Sequence, residues 1–411
     1  MEYWNDGFLE VILQYSNTPI CLLAEVHMKR STERILVTHA GTLPQPKDLK
    51  EMLDAKNEGK PYDHEAYSRR VRSAVAEGVR QQVDCGVDIV NDGELGKPNF
   101  SRYTRERLSG FVEKPAGPDF RPTSIFGRDM IEFSEYFNRG GRTSIGHHSR
   151  VFYCAEPLKY VGHAEVKADI ENLKAALQGK PIEEAFLPAI APGTMEHWMK
   201  NEYYPTDEAY LFAIADAMHE EYKAIVDAGF VLQIDDPDLA DAWQMYPQMS
   251  VAEYRKYQEL RISALNHGLR DLPIDRVRFH MCWGSYHGPH KYDIPLRDIV
   301  DLILKVRAGA YSIEASNPCH EHEWRVWREV KLPDDKVLIP GVAGHYSDFI
   351  EHPQAIADRL VNFARLVGKE NVIAGTDCGI GTRVGHPQVA WAKFQAMAEG
   401  ARLATKQLWG R

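Results

Sequence analysis

Cysteine, basic charge and long apolar runs are all scarce in this 411-residue chain, and each scarcity excludes something. Its 6 cysteines (Cys21, Cys85, Cys154, Cys282, Cys319 and Cys378) are irregularly spaced and form no disulfide framework. Such isolated thiols are fillers, metal ligands or nucleophiles. Lys and Arg number 49 against 59 Asp and Glu, a net charge of −10. A broad basic face is therefore missing, and nucleic acid is not an expected partner. No stretch approaches the roughly 20 apolar residues of a membrane helix, so a membrane is not expected either. The apolar segment Phe8–Val26 is broken by Glu10, Gln14, Asn17 and Glu25 and lacks a basic leading region, which argues against a signal peptide. A cytoplasmic location is the expectation. Met28, followed by Lys29-Arg30, reads as a start, with residues 1–27 an extension and 28–411 a single catalytic domain.

What is present is a soluble globular composition, with 44% hydrophobic and 26% charged residues. Short β-rich runs recur at Ile35–His39, Asp88–Asp92, Ala185–Ala189, Val231–Asp235, Val277–Met281, Tyr311–Ala315, Val337–Gly341 and Val372–Thr376. Amphipathic stretches separate most of them, among them Asp63–Cys85, Thr206–Ala228, Val251–Leu269 and Pro353–Val367. Strands alternating with helices in this number predict an α/β fold, a (β/α)8 TIM barrel. A doubly wound sheet also alternates, but no Gly-x-Gly-x-x-Gly turn follows the first run. The interval of about 100–184 exceeds one crossover and reads as an insertion between strands 2 and 3, a β-hairpin with a strand at Val151–Cys154.

Barrel chemistry lies at the C-terminal strand ends. There the sharpest pattern is His280-Met281-Cys282, because alternate strand residues face one side and both can meet one metal ion. Glu314 and Cys378 end neighbouring strands. Two thiolates, an imidazole and a carboxylate suit tetrahedral zinc, whereas magnesium prefers an all-oxygen shell. Asp377 either orients a ligand or a neighbouring loop, or caps the turn Gly379-Ile380-Gly381. The run Cys319-His320-Glu321-His322-Glu323-Trp324 reads as a loop over a strand end; its adjacent members do not all face one ion. His287 and His290 have the same standing, and Arg102 and Arg105 read as solvated helix charges.

Val277–Cys282, Ser312-Ile313-Glu314 and Asp377-Cys378-Gly379 with Thr382-Arg383 resemble the zinc motifs of the cobalamin-independent methionine synthases. The resemblance extends through Thr38–Pro46, Gly86–Glu94, Ala191–Trp198 and Leu232–Asp238, and so over nearly all of 35–405. It is a resemblance to the C-terminal catalytic barrel, in a short form, shared with epoxyalkane:coenzyme M transferases. It implies a zinc-dependent transferase of methionine biosynthesis, with a small-molecule thiol and an alkyl donor as partners; a homo-oligomer is compatible with it. His280, Cys282, Glu314 and Cys378 would hold Zn2+, with Glu314 yielding to the substrate sulfur. Glu94 and Asp235 fall on positions that hold the amino group of homocysteine, and Gly41 and Thr42 on a carboxylate-binding loop. Trp198 matches a folate-stacking position and His345 a proton donor to the leaving group, although each also reads as an ordinary loop residue.

The usual Ile-Asp-Glu-Pro is Ile234-Asp235-Asp236-Pro237 here, and Asp236 reads either as a contact or as a helix N-cap. The implied reaction is methyl transfer to homocysteine or a similar thiol from methyl-folate or a methyl-corrinoid. Epoxide opening by a thiol such as coenzyme M, and a metal-free uroporphyrinogen decarboxylase-like barrel, are the alternatives.

Overall fold

The computed structural model describes residues 28–115, 126–138, 150–381 and 383–410. The extension 1–27 with Cys21, the Gly140-Gly141 part of the insertion, and Thr382 lie outside these. Ten strands are present: β1 (Ile89–Val90), β2 (Leu108–Pro115), β3 (Arg150–Tyr160), β4 (Glu184–Ile190), β5 (Met199–Asn201), β6 (Val231–Asp235), β7 (Val277–Met281), β8 (Ala310–Ile313), β9 (Val337–Ala343) and β10 (Gly375–Thr376). Seven of them form one curled parallel sheet in the order β1-β4-β6-β7-β8-β9-β10. This is a mixed α/β fold consistent with a TIM-like barrel. Every residue of β6, β7, β8 and β9 is buried, as expected for parallel strands covered on both faces.

The run Ile35–His39 does not become a regular strand. Val37 forms an isolated parallel bridge to Ala374, while its carbonyl accepts from the amides of Asp88 and Ile89. Thr38 N–H donates to the Ala374 carbonyl and Ala374 N–H to that of Leu36, but three of the segment's donors go to side chains. Ile35 N–H donates to Thr405 Oγ1, Leu36 N–H to Ser31 Oγ and Val37 N–H to Asp88 Oδ2. Arg34 in turn grips Asp88 through both terminal nitrogens. The segment thus touches both edges of the sheet through a mixture of main-chain and side-chain bonds.

Helices cover the sheet, and their starts are chemically marked. Asp63 caps His64–Asp84 by accepting from Ala66 N–H, Thr206 caps Asp207–Asp227 through Ala209, and Ser250 forms a capping box with Glu253 ahead of Val251–Gly268. β2 pairs antiparallel with β3 within the interval 100–184, and β3 pairs parallel with β5 beyond it, making a second sheet of three strands. Arg107, Asp169 and Glu221 tie this sheet to the helices beneath through ion pairs of 2.8 and 3.1 Å.

Candidate active site at the strand ends

Strand register assembles the first part of the site. Asp235 on β6 pairs with His280 on β7, which pairs with Ser312 on β8, so three polar side chains stand in a row. Cys282 follows β7, and Cys378 follows β10. Ligand atoms of His280, Cys282 and Cys378 all lie within 4.8 Å of one another. The two sulfurs are 3.6 Å apart, and Ser285 Oγ donates to Cys378 Sγ at 3.0 Å. Their mutual hydrogen bond draws the Cys378 thiol well below its ordinary range and, together with burial, pushes Cys282 well above. His280 Nδ1 meets Ser312 Oγ at 3.2 Å, whereas its Nε2 is buried without a partner.

An orphaned imidazole nitrogen facing two thiols is the donor chemistry of a zinc site, and these residues fit such an ion. Glu314 stands differently from the other three expected ligands. Its Oε2 accepts from Trp283 N–H at 2.8 Å and its Oε1 from Asn317 Nδ2 at 2.9 Å. Its carboxylate groups with His345 and Asp377 rather than with the thiols.

His345 is not a solvent-facing loop residue: it is 1% exposed, and neither ring nitrogen has a partner. Asp377 does not cap the turn at 379–381. Its Oδ1 accepts from Ala315 and Ser316 N–H at 2.9 and 2.8 Å, and its Oδ2 from Ser316 Oγ, so it fixes the loop behind Glu314. Gly341 on β9 admits this arrangement, since a Cβ there would lie 2.1 Å from Asp377 Oδ1. Burial, then the nearby Glu314 charge, raises the Asp377 carboxyl to about 6.

On the opposite side, the Gly41-Thr42 loop is held between two strand ends. Thr42 C=O accepts from Gly381 N–H, and Leu43 N–H donates to Gly93 C=O. Thr42 Oγ1 donates to Glu94 Oε1 at 2.8 Å. A Cβ on Gly41, whose φ is +141°, would sit 2.4 Å from that same oxygen, so only glycine fits. Burial, then Asp235, raises the Glu94 carboxyl to about 8. Asp235 is raised by burial to about 6 and accepts from Gln233 Nε2 at 2.6 Å. Asp236 is no N-cap: Pro237 holds that position without a side-chain bond, and Asp236 Oδ1 accepts from Thr194 Oγ1 at 3.0 Å. Trp198 ends the helix Pro192–Trp198, half-buried, with its indole N–H unpartnered.

Several participants carried no sequence signal. Ser285 and Ser312 are ordinary in composition, and only register brings them to the ligands. His320 and His290, from the histidine-rich loops, share Asp293 Oδ2 at 3.1 and 2.7 Å, and His320 stacks on Trp283 at 3.7 Å between ring centroids. These histidines brace the loop that carries Trp283. Among the other cysteines, Cys85 and Cys154 are buried and Cys319 is exposed. Among the described residues no helix is long and apolar enough to cross a membrane.

Comparison with known proteins agrees with this geometry. Residues 187–403 match the family described as the catalytic domain of cobalamin-independent synthase. That stretch is more than half of the chain and contains β6 to β10 with all four expected ligands; the chain belongs to this family. A methionine synthase of Thermococcus kodakarensis is 22% identical over 370 residues, covering 90% of this chain and 93% of that one. Another, from Sulfolobus acidocaldarius, is 24% identical over 374 residues, covering 90% and 92%. The structure of a B12-independent methionine synthase from a Shewanella species superposes with a TM-score of 0.69 at 19% identity, covering 92% of this chain and 100% of that one. At that identity the likeness bears on the fold.

Proposed function

We propose that this protein is a zinc-dependent thiol alkyltransferase that moves a methyl group to homocysteine or a similar thiol, from methyl-folate or a methyl-corrinoid. The observation that carries this reading is the triad of buried His280 and Cys282 with half-buried Cys378, its two sulfurs 3.6 Å apart and an imidazole nitrogen without a hydrogen-bond partner. The relatives named methionine synthase support it. Counting the Leu36–Thr38 segment as an eighth strand, the scaffold is a (β/α)8 barrel of residues 28–411 with about 100–184 inserted.

Zinc bound by these three residues, with Glu314 as the fourth, supplies a Lewis acid that keeps an acceptor thiol deprotonated at neutral pH. The remaining work belongs to the chain. Glu94 and Asp235 receive the acceptor's ammonium, because two buried acids held near neutrality regain their charge beside a cation. Gly41 and Thr42 receive its carboxylate. Trp198 stacks the donor, and His345, with both nitrogens free, gives a proton to the departing group. The enzyme is cytoplasmic in this reading and acts on small molecules.

Two measurements test it. Metal analysis of the purified protein should find one zinc per chain, lost in Cys282→Ser and Cys378→Ser. Methyl transfer to homocysteine, run beside epoxide opening by coenzyme M, separates the two transfer chemistries. Ring opening without methyl transfer would overturn the acceptor assignment, and zinc retained in both variants would overturn the metal site.

A further inference from the structure

Lys97 is a buried cation that the proposed chemistry leaves unused. Its side chain is 5% exposed, its Nζ donates to the Pro188 carbonyl of β4 at 2.8 Å, and it lies 3.6 Å from Asp92 Oδ2. Asp92 Oδ1 accepts from the Glu94 amide at 3.0 Å. Glu94 itself has a φ of 54°, a left-handed conformation uncommon for a residue with a long side chain, and it follows Gly93 at 70°. The turn is closed by Lys97 N–H donating to Glu94 C=O at 3.0 Å. One ammonium thus ties β4 to the carboxylate that holds Glu94 in its unusual backbone state.

We infer that Lys97 is a positioning residue for acceptor recognition: through Asp92 it holds Glu94 in the left-handed turn that aims its carboxylate at Thr42 and Gly41. The inference rests on the reading above that Glu94 binds the acceptor's ammonium. The charges around Lys97 fit a permanent cation. Burial works against its charge, but Asp92, Asp169 and Glu94 outweigh burial and the repulsion from Arg107, leaving its pKa above the ordinary value. Asp92, raised by burial, is drawn back toward the charged form by Lys97. Without that counter-charge Asp92 would be an unpaired buried acid, and its bond to the Glu94 amide would weaken as it took up a proton.

The test is equilibrium binding of homocysteine and of 4-mercaptobutanoate, which lacks only the amino group, to the zinc-loaded full chain. The unaltered protein should prefer homocysteine at least tenfold. Lys97→Met should lower homocysteine affinity about tenfold while leaving 4-mercaptobutanoate and the zinc content unchanged. Asp92→Asn with Lys97→Met removes both charges but keeps an amide oxygen for Glu94 N–H, and should restore the preference. An unaltered protein that binds both thiols alike would overturn the Glu94 reading and this inference with it. Preference intact in the unaltered protein and undiminished, or increased, in Lys97→Met would overturn the role of Lys97 alone. Should the single variant not fold, the double variant decides, since loss of preference there contradicts the rescue.

Discussion

The two halves of the site are unsatisfied in opposite senses. On the β7–β10 side, two sulfurs and an imidazole nitrogen converge within 4.8 Å of one another, the nitrogen without a hydrogen-bond partner. On the β1–β6 side, Glu94 and Asp235 already have partners in Thr42 and Gln233, and the cation that bears on both, Lys97, is itself tied to the Pro188 carbonyl and Asp92. One half is built from soft ligands that ask for a metal, the other from buried acids that ask for an ammonium. An acceptor carrying both a thiol and an amino group complements both halves at once, which neither half alone would specify.

The comparison can be broken from the metal side first, where the effect is largest. Cys282→Ser or Cys378→Ser removes a thiolate from a site with few ligands. Zinc affinity and turnover should each fall by on the order of a thousandfold, read by metal analysis and methyl transfer. The acid side should respond less. Glu94→Gln or Asp235→Asn removes one charged hydrogen bond, about 1.5–3 kcal/mol, so the homocysteine KM should rise by roughly one to two orders of magnitude with zinc content unchanged.

The pH response sharpens the contrast further. Glu94 is raised from 4.5 to about 8, so the folded protein holds a proton there that the unfolded chain has released. Its contribution to stability is therefore present below pH 4.5 and lost as pH rises through about 8. Stability of the ligand-free protein, followed by unfolding between pH 5 and 9, should fall less steeply with pH in Glu94→Gln. Homocysteine binding should rise with pH over the same window, because only ionised Glu94 neutralises the ammonium, and 4-mercaptobutanoate should lack that component. The smallest effect belongs to the brace behind Glu314. Ser316→Ala removes one hydrogen bond to Asp377 and should cost about 0.5–1.5 kcal/mol in chemical denaturation, with zinc retained.

Strand periodicity made the sulfur half legible in the sequence: His280 and Cys282 must share a face, and Cys378 ends a neighbouring strand. Two helix starts were equally plain, since amphipathic stretches begin at Asp63 and Thr206, which cap their helices. Periodicity tells which way a side chain faces but not which bond it makes, and the differences arise there. Glu314 is turned by Trp283 N–H and Asn317, a loop amide and a side chain that no spacing rule couples to it. Asp236 bonds Thr194, in the helix Pro192–Trp198 after β4, instead of capping its own helix. Lys97 carries no sequence signal, because its burial and its bond to the Pro188 carbonyl depend on β4. The Ile35–His39 run has the composition of a strand, yet the amides of Ile35, Leu36 and Val37 are taken by Thr405, Ser31 and Asp88.

That last segment has a consequence for how the molecule comes into being. Val37 bridges to Ala374, and the amide of Ile35 reaches Thr405, 370 positions along the chain. Contacts of such sequence separation are the slowest to find in a folding search. During synthesis the early segment can bond Asp88 and Ile89 on one side, but its other edge must wait until residues 372–376 have left the ribosome. Gly41 and Thr42 flank this seam on one side and Cys378 on the other, so the binding loop and the last thiol arrive together. The late residues thus complete both the seam and the candidate site, and a chain truncated before residue 372 would have neither the Val37–Ala374 bridge nor Cys378.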